Sequence, residues 1–450
     1  YDKYKNSIFV LMKKQLLELL VLQRERFVRP EHNRAISINT GLAKVQTITG
    51  PRRVGKSALL KLAIDQLIRQ GVAWDKICFL SLEDERLRAE VFPPDEILQA
   101  FAELHPENSL LKDVYFLFDE VQYLDKWEYF INRVYEQISK KVIITGSNSK
   151  TLHTEVAGVL RGRGLPTELL PLSFSEYLDW EGIEYSAYGS RKVQTLAAFS
   201  KYLYQGGYPE TIGRDEKMNF MLLQEYFNTV MYRDIIEQQQ PANYRYLRYL
   251  FHRIADNTGK PVGLSKIYNE LKSRGYAVSR NSIYEMTDLG EAVYLYKRIS
   301  RFDASLIKRE NADKKCYFID NGMLRALGSH FSENKGMLLE NLVFWQLYRQ
   351  YGNIYTTDIF YYKDAYHECD FVLYKEAGKA LPIQVCWELT TENARQREMK
   401  GLLKACKATD SRKGIIITSE TEEETEEDGV KIKLIPAWKW CGEGMDLFGM

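Results

Sequence analysis

The sequence predicts an α/β fold built on a parallel sheet with helices on both faces, and three observations predict it. Residues 50 to 57 read Gly50-Pro51-Arg52-Arg53-Val54-Gly55-Lys56-Ser57, between a β-branched run (Val45 to Thr49) and a helix-period stretch (Ala58 to Ile64). A fully apolar run, Val114 to Phe118, ends in Asp119-Glu120. From 41 to 178, strand-like and helix-like stretches alternate, the pattern of a parallel sheet covered on both sides.

Residues 1–40 read as a helix and a basic connector. Leu16, Leu19, Leu20 and Leu22 give the helix an apolar side, but Glu18 interrupts it and Arg24, Glu25 and Arg26 follow, which argues against a signal peptide. The 41–178 core holds five expected strands: Val45–Thr49, Ile77–Leu82, Val114–Phe118, Val142–Thr145 and Glu168–Leu172. One strand lies between the glycine-loop strand and the Asp119 strand.

Strand, glycine loop, helix is the arrangement that phosphate binding needs. Glycines let backbone N–H groups close around phosphate oxygens, and the helix N-terminus adds its positive dipole end. Gly50, Pro51, Arg52, Arg53, Val54, Gly55, Lys56, Ser57 and the following Ala58 are the expected nucleotide contacts. Lys56 reaches the β- and γ-phosphates, and the Ser57 hydroxyl binds Mg²⁺. Asp119 and Glu120 end a strand at the sheet edge, where ligands bind in such folds. Asp119 is placed to hold Mg²⁺ through water, and Glu120 to orient and deprotonate the attacking water.

Residues 179–240 look helical, a lid interrupted by Gln205-Gly206-Gly207-Tyr208-Pro209. In 241–305 a short helix opens at Gly263-Leu264-Ser265, with Ser265 as its cap. A turn at 275–279 and a helix at Arg280–Leu289 follow, and 292–302 could form a β-wing. Helix, turn, helix, wing is a winged-helix module. Residues 306–450 show an α+β pattern: a helix near 336–350, strands at 358–363, 368–375 and 381–388, a helix over 392–408 and a strand at 414–419. Glu420 to Asp428 reads as a solvated acidic turn.

Five motifs occur in order: Gly50–Ser57; Phe116-Leu117-Phe118-Asp119-Glu120-Val121-Gln122; Ile144-Thr145-Gly146-Ser147-Asn148-Ser149; Leu160-Arg161-Gly162-Arg163 running to Pro171-Leu172-Ser173-Phe174; and Gly206-Gly207-Tyr208-Pro209-Glu210. With them the chain resembles AAA+-type P-loop ATPases, specifically the prokaryotic family with an attached C-terminal domain of unknown function. Gly207-Tyr208-Pro209 is also similar to an element of signal-transducing ATPases with numerous domains; there the proline lies near the base, which makes Pro209 a nucleotide contact by resemblance and otherwise only a turn residue. Ser147 or Asn148 is the candidate sensor of the γ-phosphate, the alternative being a strand-ending turn. Arg161 or Arg163 is a candidate for stabilising transition-state charge, in its own chain or across a subunit boundary, or else a surface salt bridge; Arg233 is a weaker candidate.

The winged helix offers Arg280, Asn281 and Ser282 to DNA, and residues 241–310 carry 13 Lys or Arg against 7 Asp or Glu in a chain of net charge +1. A packing role against protein is the alternative. Residues 336–388 resemble the PD-(D/E)XK nuclease fold, the restriction-endonuclease-like type. The resemblance makes Glu340 the helix acid and Asp370 the strand acid of a one-metal site. Where the third acid and the lysine would stand, the chain has Gln384 and Cys386. His367, Glu368 or Glu388 could substitute, but a degenerate, non-cutting domain is expected.

A length of 450 residues implies several domains. No apolar run approaches the ~18 residues of a membrane span. Six cysteines lie far apart without a CxxC pair, which fits reduced thiols and the cytoplasm. The sequence thus points to an ATPase using ATP and Mg²⁺. Its C-terminal half is expected to meet duplex DNA or a protein partner, and the chain to form a homo-oligomer that depends on nucleotide. The alternatives are a nucleotide-gated binding or signalling module with little turnover, and an ATP-regulated nuclease.

Overall fold

A computed structural model describes residues 2–88, 93–146, 162–237, 244–328, 334–352, 357–375, 378–389 and 391–449, with side chains from residue 13 onward except at residue 88. The chain divides into two compact units, Tyr1–Leu170 and Pro171–Met450.

The first unit is a five-stranded parallel sheet: β1 (Val45–Thr49), β2 (Ile77–Ser81), β3 (Tyr115–Asp119), β4 (Val142–Gly146) and β5 (Gly164–Glu168), in the order β2-β3-β4-β1-β5. Alternation along each strand feeds two cores. Phe116 and Phe118 of β3 and Val142 and Ile144 of β4 join Leu16, Leu19 and Leu20 of the helix Asp2–Glu25 on one face. Leu117 and Ile143 join Leu59, Leu60, Ile64 and Leu67 of the helix Lys56–Arg69 on the other. Both faces are covered, which is why β3 and β4 read as unbroken apolar runs. Each such side chain stabilises the sheet by roughly 1.5–3 kcal/mol. β4 lies between β1 and β3, so the loop after β1 and the acids ending β3 flank its C-terminal end.

The fifth strand differs from expectation. It is Gly164–Glu168, half exposed, while Leu169, Leu170 and Leu172 beyond it are buried. As an edge strand it tolerates Pro166 and needs no apolar run; Leu169, just beyond it, joins the core beside Leu117 and Ile143.

In the second unit a helix Phe174–Trp180 begins with a capping box between Ser173 and Glu176. The helices Gly189–Gln205 and Glu216–Thr229 follow. The helices Leu264–Ser273 and Arg280–Ala292 are joined by a turn. Ser265 does not cap the first, whose cap position is Gly263; Ser279 caps the second, its Oγ accepting the Ser282 N–H at 3.0 Å. β7 (Tyr296–Ile299) pairs antiparallel with β8 (Lys314–Phe318), and β6 (Pro261–Val262) pairs with the other edge of β8.

A six-stranded mixed sheet forms the C-terminal part, in the order β13-β14-β12-β11-β10-β9. Its strands are β9 (Thr357–Lys363), β10 (Glu368–Lys375), β11 (Lys379–Val385), β12 (Lys413–Thr418), β13 (Glu423–Glu427) and β14 (Val430–Pro436). The helices Lys335–Leu347 and Glu392–Ala408 pack against it. The acidic stretch is therefore a hairpin and not a bare turn. Asp428 (φ 51°) and Gly429 (φ 74°) both take the positive φ of a type I′ turn, and β13 pairs with β14 across it.

Candidate functional site

The glycine loop leaves β1 at Thr49 and enters the helix Lys56–Arg69. Gly50 (φ 150°) is required: a Cβ there would lie 2.1 Å from the Leu169 carbonyl oxygen. Gly55 (φ 99°) occupies the N-cap position without a side-chain cap, so the helix opens with backbone N–H groups ready for an anion. The Lys56 Nζ is buried and donates to the carbonyls of Gly50 (3.2 Å) and Pro51 (3.1 Å), 3.5 Å from the Glu120 carboxylate. Arg34 braces the loop from behind, donating to the carbonyls of Val54 (2.9 Å) and Leu170 (2.7 Å). As part of a basic connector it carried no motif that sequence reasoning could use.

Thr145, near the end of β4, holds both acids. Its hydroxyl donates to the Asp119 carboxylate at 2.5 Å and accepts the Glu120 backbone N–H at 2.8 Å. Sequence reasoning passed over it for the next residues along. Burial pushes the Asp119 carboxyl above its ordinary range, with the Thr145 and Ser57 hydroxyls pulling the other way. Burial also pushes Glu120 up, but Lys56, the Gln122 hydrogen bond and Arg52 outweigh it, and its carboxyl lies below the ordinary range. Glu120 itself takes a left-handed backbone (φ 53°) that turns the chain out of β3. The Thr49 hydroxyl, immediately before the loop, is buried without a hydrogen-bond partner among the described residues.

These features fit a phosphate chain with a divalent cation: uncapped N–H groups, a buried ammonium, and a serine hydroxyl beside a carboxylate. Ser57 and Asp119 would hold Mg²⁺ only together with phosphate and water oxygens, the usual way this ion is bound.

Ser147, Asn148 and Arg161 lie outside the described residues. Arg163 does not reach the loop within its own chain. It precedes β5, its carbonyl accepting the Val45 N–H at 3.0 Å, at the opposite end of the sheet from Gly50. Five residues of strand separate the two ends, about 16 Å. Its guanidinium pairs with Glu136 (2.8 Å) and Asn132 (3.2 Å). Pro209 begins the short turn Pro209–Thr211, and Arg233 is exposed on Val230–Ile236, both in the second unit.

A second cluster lies in the C-terminal half. Glu340 and Asp370 meet there, and of the three open substitutes the fold brings in Glu368. All three carboxylates surround the Lys315 ammonium, at 3.2 Å (Glu340), 3.1 Å (Asp370) and 2.8 Å (Glu368). The expectation that this site has lost its cation is thus corrected: Lys315 supplies one from β8, far from the E-x-K position. Burial works against the Lys315 charge, but the carboxylates raise it well above the ordinary lysine value. Gln384 stands behind the cluster, accepting the Asp370 N–H (3.2 Å) and donating to Glu398 (2.6 Å). Cys386 donates to the Glu388 carbonyl at 3.2 Å, and burial pushes its thiol to about 11, which leaves it neutral and unreactive.

Residues 43–178 match the model of an AAA domain, and residues 196–334 and 335–440 match two domains of unknown function, DUF8612 and DUF4143. An uncharacterized protein of Methanocaldococcus jannaschii is 32% identical over 440 residues, 95% of each chain. An uncharacterized protein of Haemophilus influenzae is 30% identical over 394 residues, 88% of this chain and 94% of that one. Among solved structures, a Walker-type ATPase of Pyrococcus abyssi matches with a TM-score of 0.41 and 14% identity, over 70% of this chain and 95% of that one. Among the described residues no helix is long and apolar enough to cross a membrane.

Proposed function

We propose that this chain, which belongs to one family with its archaeal and bacterial relatives and carries an AAA domain over residues 43–178, is a Mg²⁺-dependent ATPase whose nucleotide state governs a winged-helix and nuclease-like C-terminal half. One observation carries this: Lys56, Asp119 and Glu120 meet at the end of the sheet, with Thr145 fixing both acids.

The chemistry asked of these residues follows from their contacts. Backbone N–H groups of the loop bind phosphate oxygens, and Lys56 exchanges its two loop carbonyls and Glu120 for the β- and γ-phosphates. That exchange frees the Glu120 carboxylate to accept the proton of the attacking water at its Oε1. Glu120 stays ionised to low pH while Lys56 is its partner and becomes a stronger base once Lys56 turns away. Mg²⁺, when bound, neutralises charge on the phosphates; Ser57 and Asp119 are the residues that would hold it.

Calorimetry and phosphate release test the reading. Lys56→Ala should lose ATP binding, and Glu120→Gln should keep binding while turnover stops. Unchanged affinity in the first, or parent turnover in the second, refutes it.

For the C-terminal half, the helix Arg280–Ala292 presents Arg280 and Asn281 to solvent at its start, which supports a DNA-reading role. The half is read as non-cutting, because an ammonium already fills the centre of its acids. Plasmid cleavage in Mg²⁺ or Mn²⁺ that disappears in Asp370→Ala would overturn that.

A further inference from the structure

We propose that the Lys315 ammonium is the resident cation of the Glu340–Glu368–Asp370 cluster, a tethered replacement for a divalent metal, and that it turns a would-be reaction centre into the joint between the three-stranded and six-stranded sheets. The inference deepens the nuclease-like reading of this half and depends on it only for the comparison with a metal. DNA cleavage tests that reading, the identity of the bound cation tests this one, and each can fail alone.

The geometry is that of an ammonium and not of a metal cage. Three donors meet three carboxyl groups at 2.8, 3.1 and 3.2 Å; all are hydrogen-bond lengths, and the contact to Glu368 has the short length of a charge-assisted bond. Burial, with Asp370 beside it, pushes the Glu340 carboxyl up to about 8, while Lys315 and the Tyr317 hydroxyl pull the other way. Metal–oxygen bonds are shorter, about 2.0–2.6 Å for Mg²⁺ or Ca²⁺. Among the described residues no group of three or more His, Cys, Asp or Glu is arranged to hold a metal ion. The Lys315 side chain is wholly buried, so its charge is sustained by these acids and by the face of the Tyr361 ring, 5.6 Å from the ammonium. Lys363, itself partly exposed, meets Glu368 from outside at 2.7 Å.

The neighbours of Lys315 show what the joint fastens. Tyr317, two residues on and therefore on the same face of β8, donates to Glu340 at 2.8 Å. Its ring stacks on Phe344 of the helix Lys335–Leu347 (4.4 Å) and packs on Phe371 of β10 (5.3 Å). On another side a Cβ at Gly259 would come 2.7 Å from Glu340, so backbone closes the cluster where a substrate phosphate would need room.

The test uses the full chain without nucleotide, which keeps Mn²⁺ from completing a site at the glycine loop. Mn²⁺ binding is followed by electron paramagnetic resonance and stability by thermal melting. The parent should hold no Mn²⁺ that Asp370→Ala removes. Lys315→Ala, which empties the centre, should melt lower by about 5 °C or more and recover part of that loss in Mn²⁺. Lys315→Ala with Asp370→Ala should not recover. Lys315→Met, which fills the space without charge, should melt low and stay low. Mn²⁺ bound by the parent and lost with Asp370→Ala overturns the proposal, as does Lys315→Met melting like the parent, or Lys315→Ala indifferent to Mn²⁺. If Lys315→Ala does not fold, the parent titration and Lys315→Met decide by the same outcomes.

Discussion

Replacing Thr145 by valine removes one hydroxyl and keeps the shape. Two buried hydrogen bonds go with it: the acceptor of the Glu120 N–H (2.8 Å) and the donor to Asp119 (2.5 Å). An unsatisfied buried N–H costs about 1–3 kcal/mol, and a bond to a charged carboxylate contributes about 1.5–3 kcal/mol. Thr145 and both acids are nearly inaccessible, so water cannot fully repair either loss. If about 3 kcal/mol of this is positioning of the acids, turnover falls roughly 100-fold, at 1.36 kcal/mol per factor of ten. ATP affinity should stay within a few-fold, because Lys56 and the loop are untouched. A second readout separates positioning from general damage. Asp119, already raised by burial, loses a hydrogen bond that lowers it, so its protonated form persists to higher pH. The variant should need more Mg²⁺, and the acid limb of its pH–rate profile should move upward. Thr145→Ser should restore turnover, Mg²⁺ dependence and pH profile. Phosphate release and nucleotide titration measure all of this; Thr145→Val turning over within about threefold of the parent at the parent's Mg²⁺ dependence refutes the reasoning.

Two further expectations concern stability and assembly. Burial pushes the Asp320 carboxyl up to about 6, so the fold favours its protonated form and loses stability as pH rises from the unfolded value near 4 through 6. Asp320→Asn should flatten the pH dependence of the unfolding free energy, measured by urea melts, by on the order of 2–3 kcal/mol over that window, and a slope equal to the parent's removes Asp320 from the account. Arg163 meets the nucleotide of another chain or none: turnover per chain rising with protein concentration, and lost in Arg163→Ala, supports action across a subunit boundary, whereas flat turnover unaffected by the substitution leaves it as a partner of Glu136.

The first unit was legible because its signals are local. Loop letters, a β-branched strand before them and a helix after them occupy consecutive residues, and the acids end an apolar run that both sheet faces demand. What escaped was tertiary. Thr145 sits inside a quoted motif, yet its role depends on β4 lying beside β3, which no spacing reveals. Lys315 was invisible for the same reason: a lysine sought two residues after an acid came instead from a strand of a different sheet. β5 escaped because an edge strand carries little hydrophobic pattern. The hairpin at 423–436 escaped because charge outweighed the Asp428-Gly429 turn signal.

The Gly206–Pro209 turn illustrates how a weak motif gains physical content from packing. Asp320 accepts the Gly207 N–H at 2.7 Å and caps the helix Asn321–Leu327 through Gly322 (2.8 Å). That helix in turn satisfies the carbonyls at the end of Gly189–Gln205: Asn321 donates to Leu203 (2.8 Å) and Arg325 to Tyr204 (3.1 Å). Gly322 lies so close to the Gln205 carbonyl that a Cβ would stand 2.0 Å from it. Asn321 also donates to Leu338 (2.9 Å) and accepts from Asn341 (2.9 Å), both on the helix that carries Glu340. The turn and the acidic cluster are thus joined through buried side chains and backbone with no loop between them. A displacement of the turn would carry the helix of Glu340 with it, because neither the capped helix ends nor the close-packed glycines leave slack to absorb the motion. Coupling between the turn and the acidic cluster therefore needs no flexible linker; within the second unit it needs only that the turn move.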